Sequence, residues 1–386
     1  MEQLGVLSII WGILVQFWPV WLALLIVMGG SFALRERLGL YGQIYDSPIG
    51  IAGLFFVFFW LFTAVFADTV APFDPLDQIA DFKREPPGSF MEVRGQEIVY
   101  LLGGDGLARD VFSRMVHGSR IVLTIAPAAT VFAFMVGITL GLPAGYYGGW
   151  IDSVLSFLAN LVLAFPVILL FYLLVTPEIQ NETAIPQTFA GAFFVVPIVF
   201  CAVLFGSRYR EQPAKLALLL AATLAIGAWL YLGLVFDADP LGIVSLDPNE
   251  LNIFVAVVFA SAPGVFRIVR GLVMDVKTRD YVAAAQTRGE GPWYTMLWEV
   301  LPNARGPLIV DACLRIGYTT ILLGTLGFFG LGLAPESPDW GTTIKDGSRL
   351  LRVYPHPAIP PAVALMTFVL GLNLLADALR EESLKD

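Results

Sequence analysis

Apolar residues run along this chain in long unbroken blocks, and polar residues collect between them. The blocks cover about 7–30, 49–67, 119–145, 150–175, 189–206, 214–236, 251–273, 306–331 and 358–379. A helix needs about 20 such residues to cross a bilayer. Backbone groups in lipid must satisfy one another, so unbroken blocks predict helices, whereas a β-barrel would show alternating strands of roughly 10 residues. The expected fold is therefore an all-α polytopic membrane protein with about nine helices. The first block could be mistaken for a signal peptide, but its start carries Glu2 and no Lys or Arg, which favours a retained helix.

The polar intervals organise the rest. Residues 1–48 hold the first helix and a loop with Arg35 and Arg37; 49–118 hold the second helix and a Pro-, Gly- and acid-rich segment beginning at Asp68; 119–386 hold the remaining helices. This last part includes a hairpin at 189–236, whose connection from Ser207 to Lys215 carries three cations, and a polar loop at 274–304. The run from Gly145 to Trp150 predicts a tight glycine turn. Gly137, Gly141 and Gly145 repeat every four residues on one helix face, which suits close helix packing first and the lining of a pathway second.

The stretch Asp280–Asn303, DYVAAAQTRGEGPWYTMLWEVLPN, stands out as a charged, helix-forming segment between two apolar blocks. Tyr281 to Arg288 reads as a short helix, Gly289 to Pro292 breaks it, and Trp293 to Val300 reads as a second helix stopped at Leu301-Pro302. The first half lacks the broad bulky apolar face of a helix resting on a bilayer. Its small side chains at 283–285 favour a partner held closely over lipid contact.

Composition agrees with the pattern. Hydrophobic residues make up 57% of 386 and charged residues 14%, against about a quarter in soluble domains. The net charge of −9 gives no sign of nucleic-acid binding. Cys201 and Cys313 both lie in apolar blocks and predict small buried side chains rather than a disulfide framework or metal cluster. With the carboxyl terminus cytoplasmic, nine spans put the amino terminus outside; thirteen of the 23 Lys and Arg then fall inside and nine outside, as the positive-inside rule prefers.

Enzyme signatures are absent. There is no HExxH, GxSxG or GxxxxGK[ST], so the chain has no ordinary means of binding ATP. His117 and His356 stand apart, without a ligand partner at suitable spacing. Asp311 and Arg315 lie four apart within one span and so share a helix face. A charge there costs roughly 3 kcal/mol, so the pair reads either as a structural ion pair or as part of a pathway.

Several blocks together resemble a known family. Tyr281, Val282, Ala283, Ala284, Ala285 and Gly289, followed at a fixed gap by Leu301, Pro302 and Asn303, are similar to the EAA loop of ABC-importer inner-membrane permeases. Gly104–Arg114 (GDGLARDVFSR), Ala144–Asp152 (AGYYGGWID), Phe329–Gly332 with Pro338–Gly341 and Asp346-Gly347, and Asn373–Arg380 (NLLADALR) resemble further blocks of the dipeptide/oligopeptide/nickel permeases, on the side of the second subunit. The resemblance covers about 49–175 and 251–380.

It implies a six-helix type I permease core with about three additional helices, since 7–30 and 189–236 fall outside that core. It implies a transporter subunit rather than an enzyme, paired with a sister permease chain in a heterodimer. Two ATP-binding subunits would carry ATP and Mg, with no cofactor on this chain, and an extracytoplasmic solute-binding protein would deliver the substrate. Alternating access would follow from movement of the loop. Tyr281, Ala283, Ala284, Ala285, Gly289, Leu301, Pro302 and Asn303 would be the ATPase-coupling residues. Ala283 replaces the loop's usual Glu, and Glu299 stands where His is common. Di- or oligopeptides are the expected substrate, with nickel or oligosaccharide as alternatives within the class and a secondary carrier outside it.

Overall fold

In a computed structural model of the chain, residues 2–93, 96–175, 184–236, 238–239, 248–331, 336–349 and 351–383 are described. Helices dominate. In chain order they are α1 (Val6–Gln16), α2 (Trp18–Ala33), α3 (Pro48–Val65), α4 (Val111–Tyr147), α5 (Gly149–Ala164), α6 (Val167–Val175), α7 (Ala184–Tyr209), α8 (Pro213–Phe236) and α9 (Pro248–Val276). There follow α10 (Asp280–Thr287), a composite α11 over 292–303, α12 (Arg305–Phe329), α13 (Trp340–Ser348) and α14 (Ile359–Ser383). Among the described residues six helices are long and apolar enough to span a membrane, and eight if each of two bent pairs is one span. The ninth expected helix, α7, forms, but its described apolar part, Phe194–Tyr209, is short.

Both bends fall inside blocks that pattern alone reads as single helices, and each has a local cause. α1 and α2 meet at 56° around Phe17, where Pro19 at the second position of α2 cannot continue the α1 hydrogen-bond ladder. α5 and α6 meet at 72°, with Phe165 extended before Pro166, as a residue preceding proline prefers. In the other direction, α4 begins at Val111 rather than near 119. Asp110 caps it, its carboxylate accepting from the backbone N–H of Ser113 at 2.8 Å and from the Ser113 hydroxyl at 2.7 Å.

The chain folds into two compact units, Met1–Pro127 with Cys313–Asp386, and Ala128–Ala312. In the first, α3 opens with Ser47 as cap and Pro48 at its first position. α3 packs on α14, with the Trp60 indole donating to Thr367 Oγ1 at 2.9 Å. An aromatic cluster of Phe17, Phe59, Trp60, Phe112 and Trp340 fills the centre. The Pro-, Gly- and acid-rich segment after α3 carries β2 (Ser89–Val93) and β3 (Gln96–Tyr100), which form a small antiparallel sheet with β1 (Glu2–Gln3). The β1–β2 pairing ties the amino terminus to this segment, so both lie at the same end of the unit.

In the second unit α4 and α9 approach closely along the glycine ridge. A Cβ added at Gly137, Gly141 or Gly145 would stand 2.5, 2.8 or 2.7 Å from Val265, Val269 or Arg270 and Val273. Close packing, the first of the two readings for these glycines, is what they do. The core beneath the polar loop joins Val265, Val269 and Val273 to Val282, Met296, Leu297 and Val300.

Candidate functional site

The polar stretch folds as helix, turn, helix. α10 opens with Asp280 in its first turn, where a carboxylate meets the positive end of the helix dipole. Val282 and Ala285, three apart, are fully buried against the core, while Tyr281, Ala283 and Ala284 face outward with Gln286 and Thr287. The outward surface is therefore narrower than the run 283–285, since Ala285 faces in.

Gly289 ends the helix in a left-handed conformation, φ 82°. Its N–H bonds to the Gln286 carbonyl at 3.0 Å, and the Glu290 N–H reaches the Ala285 carbonyl at 3.2 Å. Together these form a Schellman cap. α11 then runs through Pro292–Tyr294, a π-helical turn Thr295–Val300 and Leu301–Asn303. Pro302 has no N–H to offer the carbonyl one turn back, and the widened turn lies immediately before it. Leu301 is half-buried; Pro302 and Asn303 are exposed, with Asn303 Nδ2 donating to the Glu299 carbonyl at 2.6 Å. Arg288 and Glu299 pair at 2.7 Å, so Glu299 has a partner inside the loop.

The glycine turn beneath is bound to this element. Lys277 Nζ donates to the carbonyls of Gly145 at 2.8 Å and Tyr146 at 3.3 Å, placing a cation at the carboxyl end of α4. Gln286 donates to the Tyr146 hydroxyl at 2.9 Å. Asp152, the fourth residue of the helix that follows the turn, takes a bidentate pair from Arg270, with one contact at 2.6 Å, and a hydrogen bond from Ser156 at 3.0 Å. The AGYYGGWID block and the polar loop are thus one hydrogen-bonded assembly. Asp311 and Arg315 sit half-buried, one turn apart, on the continuous α12.

In the other unit, two blocks that the sequence keeps more than 200 residues apart meet in a buried polar network. Asp105 accepts the backbone N–H groups of Leu107 and Arg109 at 2.8 and 2.9 Å and pairs with the Arg109 side chain at 2.6 Å. Arg109 reaches Asp346 at 3.1 Å. Fully buried Arg114 donates to the carbonyls of Pro75, Glu336 and Ser337 and to Thr343 Oγ1, the shortest at 3.0 Å. Trp340 donates to the Met115 carbonyl at 2.9 Å. Burial pushes the Asp110 carboxyl up to about 6 despite its bonds to Ser113, and burial raises Asp339 as well. Sequence reasoning quoted these residues only as matching blocks; their alternation of charged and small residues gave no sign that Arg109 and Arg114 would be buried. Gly332, quoted with them, lies outside the described residues. His356 hydrogen-bonds the Gly104 carbonyl at 3.1 Å, and among the described residues no group of three or more His, Cys, Asp or Glu is placed to hold a metal.

Comparison with known proteins places this architecture. The binding-protein-dependent transport system inner membrane components match the chain over residues 137–381, which includes the whole polar loop and the helices on either side. The chain belongs to this family. The permease is similar to a di/tripeptide transport system permease protein of Pseudomonas aeruginosa, 29% identical over 350 residues that cover 88% of this chain and 92% of that protein. A dipeptide transport system permease protein of Alkalihalophilus pseudofirmus is 26% identical over 341 residues, 88% and 87% of the two chains. A glutathione transport system permease protein of Pectobacterium atrosepticum is 28% identical over 335 residues, 86% and 85%. The permease is an integral inner-membrane subunit of an ABC importer, not an enzyme, and the match decides against the secondary-carrier alternative.

Proposed function

We propose that this permease imports short peptides and that the outward face of α10 is where an ATP-hydrolysing subunit docks. The observation that carries the reading is the form of that face. Ala283 and Ala284 present small, exposed side chains, beside the exposed ring of Tyr281, on a helix whose other side is locked into the core by Val282 and Ala285. A helix so held transmits a push as a rigid body rather than by bending. Ala283 offers no carboxylate, so docking rests on shape, with Arg288 as an exposed cation beside it.

The complex implied is a heterodimer with a sister permease chain, two ATP-binding subunits holding ATP and Mg, and an extracytoplasmic binding protein. Peptides are favoured over nickel or oligosaccharide because the three relatives above are named for di/tripeptide, dipeptide and glutathione transport, and glutathione is itself a tripeptide. The polar loop and carboxyl terminus face the cytoplasm; the amino terminus and its sheet face outward. Asp311 and Arg315 belong to the span that follows the loop and give it a charged face within the membrane.

The test is Ala284→Trp in the assembled transporter. A bulky ring on the docking face should abolish uptake and release the ATP-binding subunits on purification while the chain still inserts. Full uptake with that ring in place overturns the reading.

A further inference from the structure

The α7–α8 hairpin carries none of the sequence blocks that resemble the family, yet its tip touches the polar loop. The Trp298 indole N–H donates to Ser207 Oγ at 3.1 Å. That hydroxyl gives its own hydrogen to the Leu204 carbonyl at 2.8 Å, so a lone pair is fixed toward the indole. The Arg208 guanidinium lies 4.3 Å from the centre of the same ring, a cation–π contact. Lys215 covers Tyr209 at 4.2 Å and holds the two hairpin helices together at the turn. Below the tip, Val196, Phe200, Val203 and Leu204 of α7 pack on the core that contains Met296, Leu297 and Val300.

The gripped residue lies within the π-helical turn Thr295–Val300. This is the weakest part of the loop's backbone. A π turn is rarely stable alone, and a helical segment as short as 292–303 is marginal without tertiary support. Force arriving at α10 must cross this turn to reach α12. We propose that the α7–α8 hairpin is a clasp that stiffens the coupling loop, with Ser207 and Arg208 as positioning residues that hold Trp298. It rests on the docking reading above. α8 is largely exposed, and the clasp gives the hairpin a use that lipid contact alone does not require.

The clasp predicts loss of coupling rather than loss of assembly. The transporter is reconstituted in vesicles with its sister permease, ATP-binding subunits and binding protein, and peptide uptake and ATP hydrolysis are measured together. Ser207→Ala, Arg208→Gln and Trp298→Phe should each lower peptide moved per ATP by about fivefold, the effect of losing one contact of about 1 kcal/mol, the hydrogen bond for Ser207 and Trp298 and the cation–π contact for Arg208. The ATP-binding subunits should still co-purify. Arg208→Lys should restore much of the ratio, since it keeps a cation over the ring. Ser207→Ala added to Trp298→Phe should change nothing further, because one contact cannot be lost twice. An unchanged ratio in Ser207→Ala and Arg208→Gln, or independent effects in the double variant, overturns the clasp. Ala284→Trp serves as the separate arm: if it abolishes uptake while the clasp variants stay fully coupled, the docking reading stands and the clasp alone fails.

Discussion

Gly289 is the position at which the loop's backbone geometry can be separated from its partner surface. Its φ of 82° is a conformation that a residue with a Cβ resists, at roughly 1–2 kcal/mol. Yet a Cβ built there meets nothing within 4 Å, so the cost in the isolated chain is conformational, not steric. The two cap bonds, Gly289 to Gln286 and Glu290 to Ala285, depend on that conformation. Gly289→Val should therefore raise the open population of the α10 end about tenfold, since 1.4 kcal/mol is a factor of ten in an equilibrium. Gly289→Asn should raise it far less, because Asn tolerates the left-handed region. Hydrogen exchange of residues 280–291 in the purified permease reads this directly. Peptide uptake in the full transporter reads a second quantity: there Val also adds bulk to the docking edge and should abolish transport. If exchange in the isolated chain followed side-chain size, with Asn as damaging as Val, the cap argument would be refuted.

Other outcomes follow from the buried groups. Asp110 is raised in the folded state from 3.8 to about 6, so its contribution favours folding below pH 4 and is lost as pH rises through 6. Asp110→Asn keeps an oxygen to cap α4 and removes the charge; it should raise stability at pH 7 by up to about 3 kcal/mol and flatten the pH dependence between 4 and 7, measured by thermal inactivation in detergent. Arg114→Met should destabilise its unit by about 3–5 kcal/mol, because the carbonyls of Pro75, Glu336 and Ser337 lose their buried donor; faster proteolysis within 336–349 would report it. Gly141→Val should force α4 from α9, where even a Cβ stands 2.8 Å from Val269, and cost at least about 1–3 kcal/mol, seen as a lower yield of assembled permease.

Much of this protein was legible along the chain because membrane helices are local objects. A long apolar block has to form its own hydrogen bonds, so the positions of the spans, the glycine turn and the helix–turn–helix of 280–303 followed from composition and punctuation alone. Nor did the surface proposed for docking need a fold to be noticed, since small residues beside a glycine break are visible in the string. Where a single residue acts through its neighbours, the pattern was silent. Pro19 and Pro166 bend two blocks that average hydropathy reads as straight. Asp110 starts α4 early by capping it. Which alanine of the run faces out, and which is core, was set by the packing of α10 on Met296 and Val300. The joining of Arg109 and Arg114 to the 336–346 segment, and of Ser207 and Arg208 to Trp298, is a matter of distance in space between residues far apart in sequence. Local chemistry decides what can span a bilayer; only the tertiary structure decides which polar side chains have somewhere to go once it does.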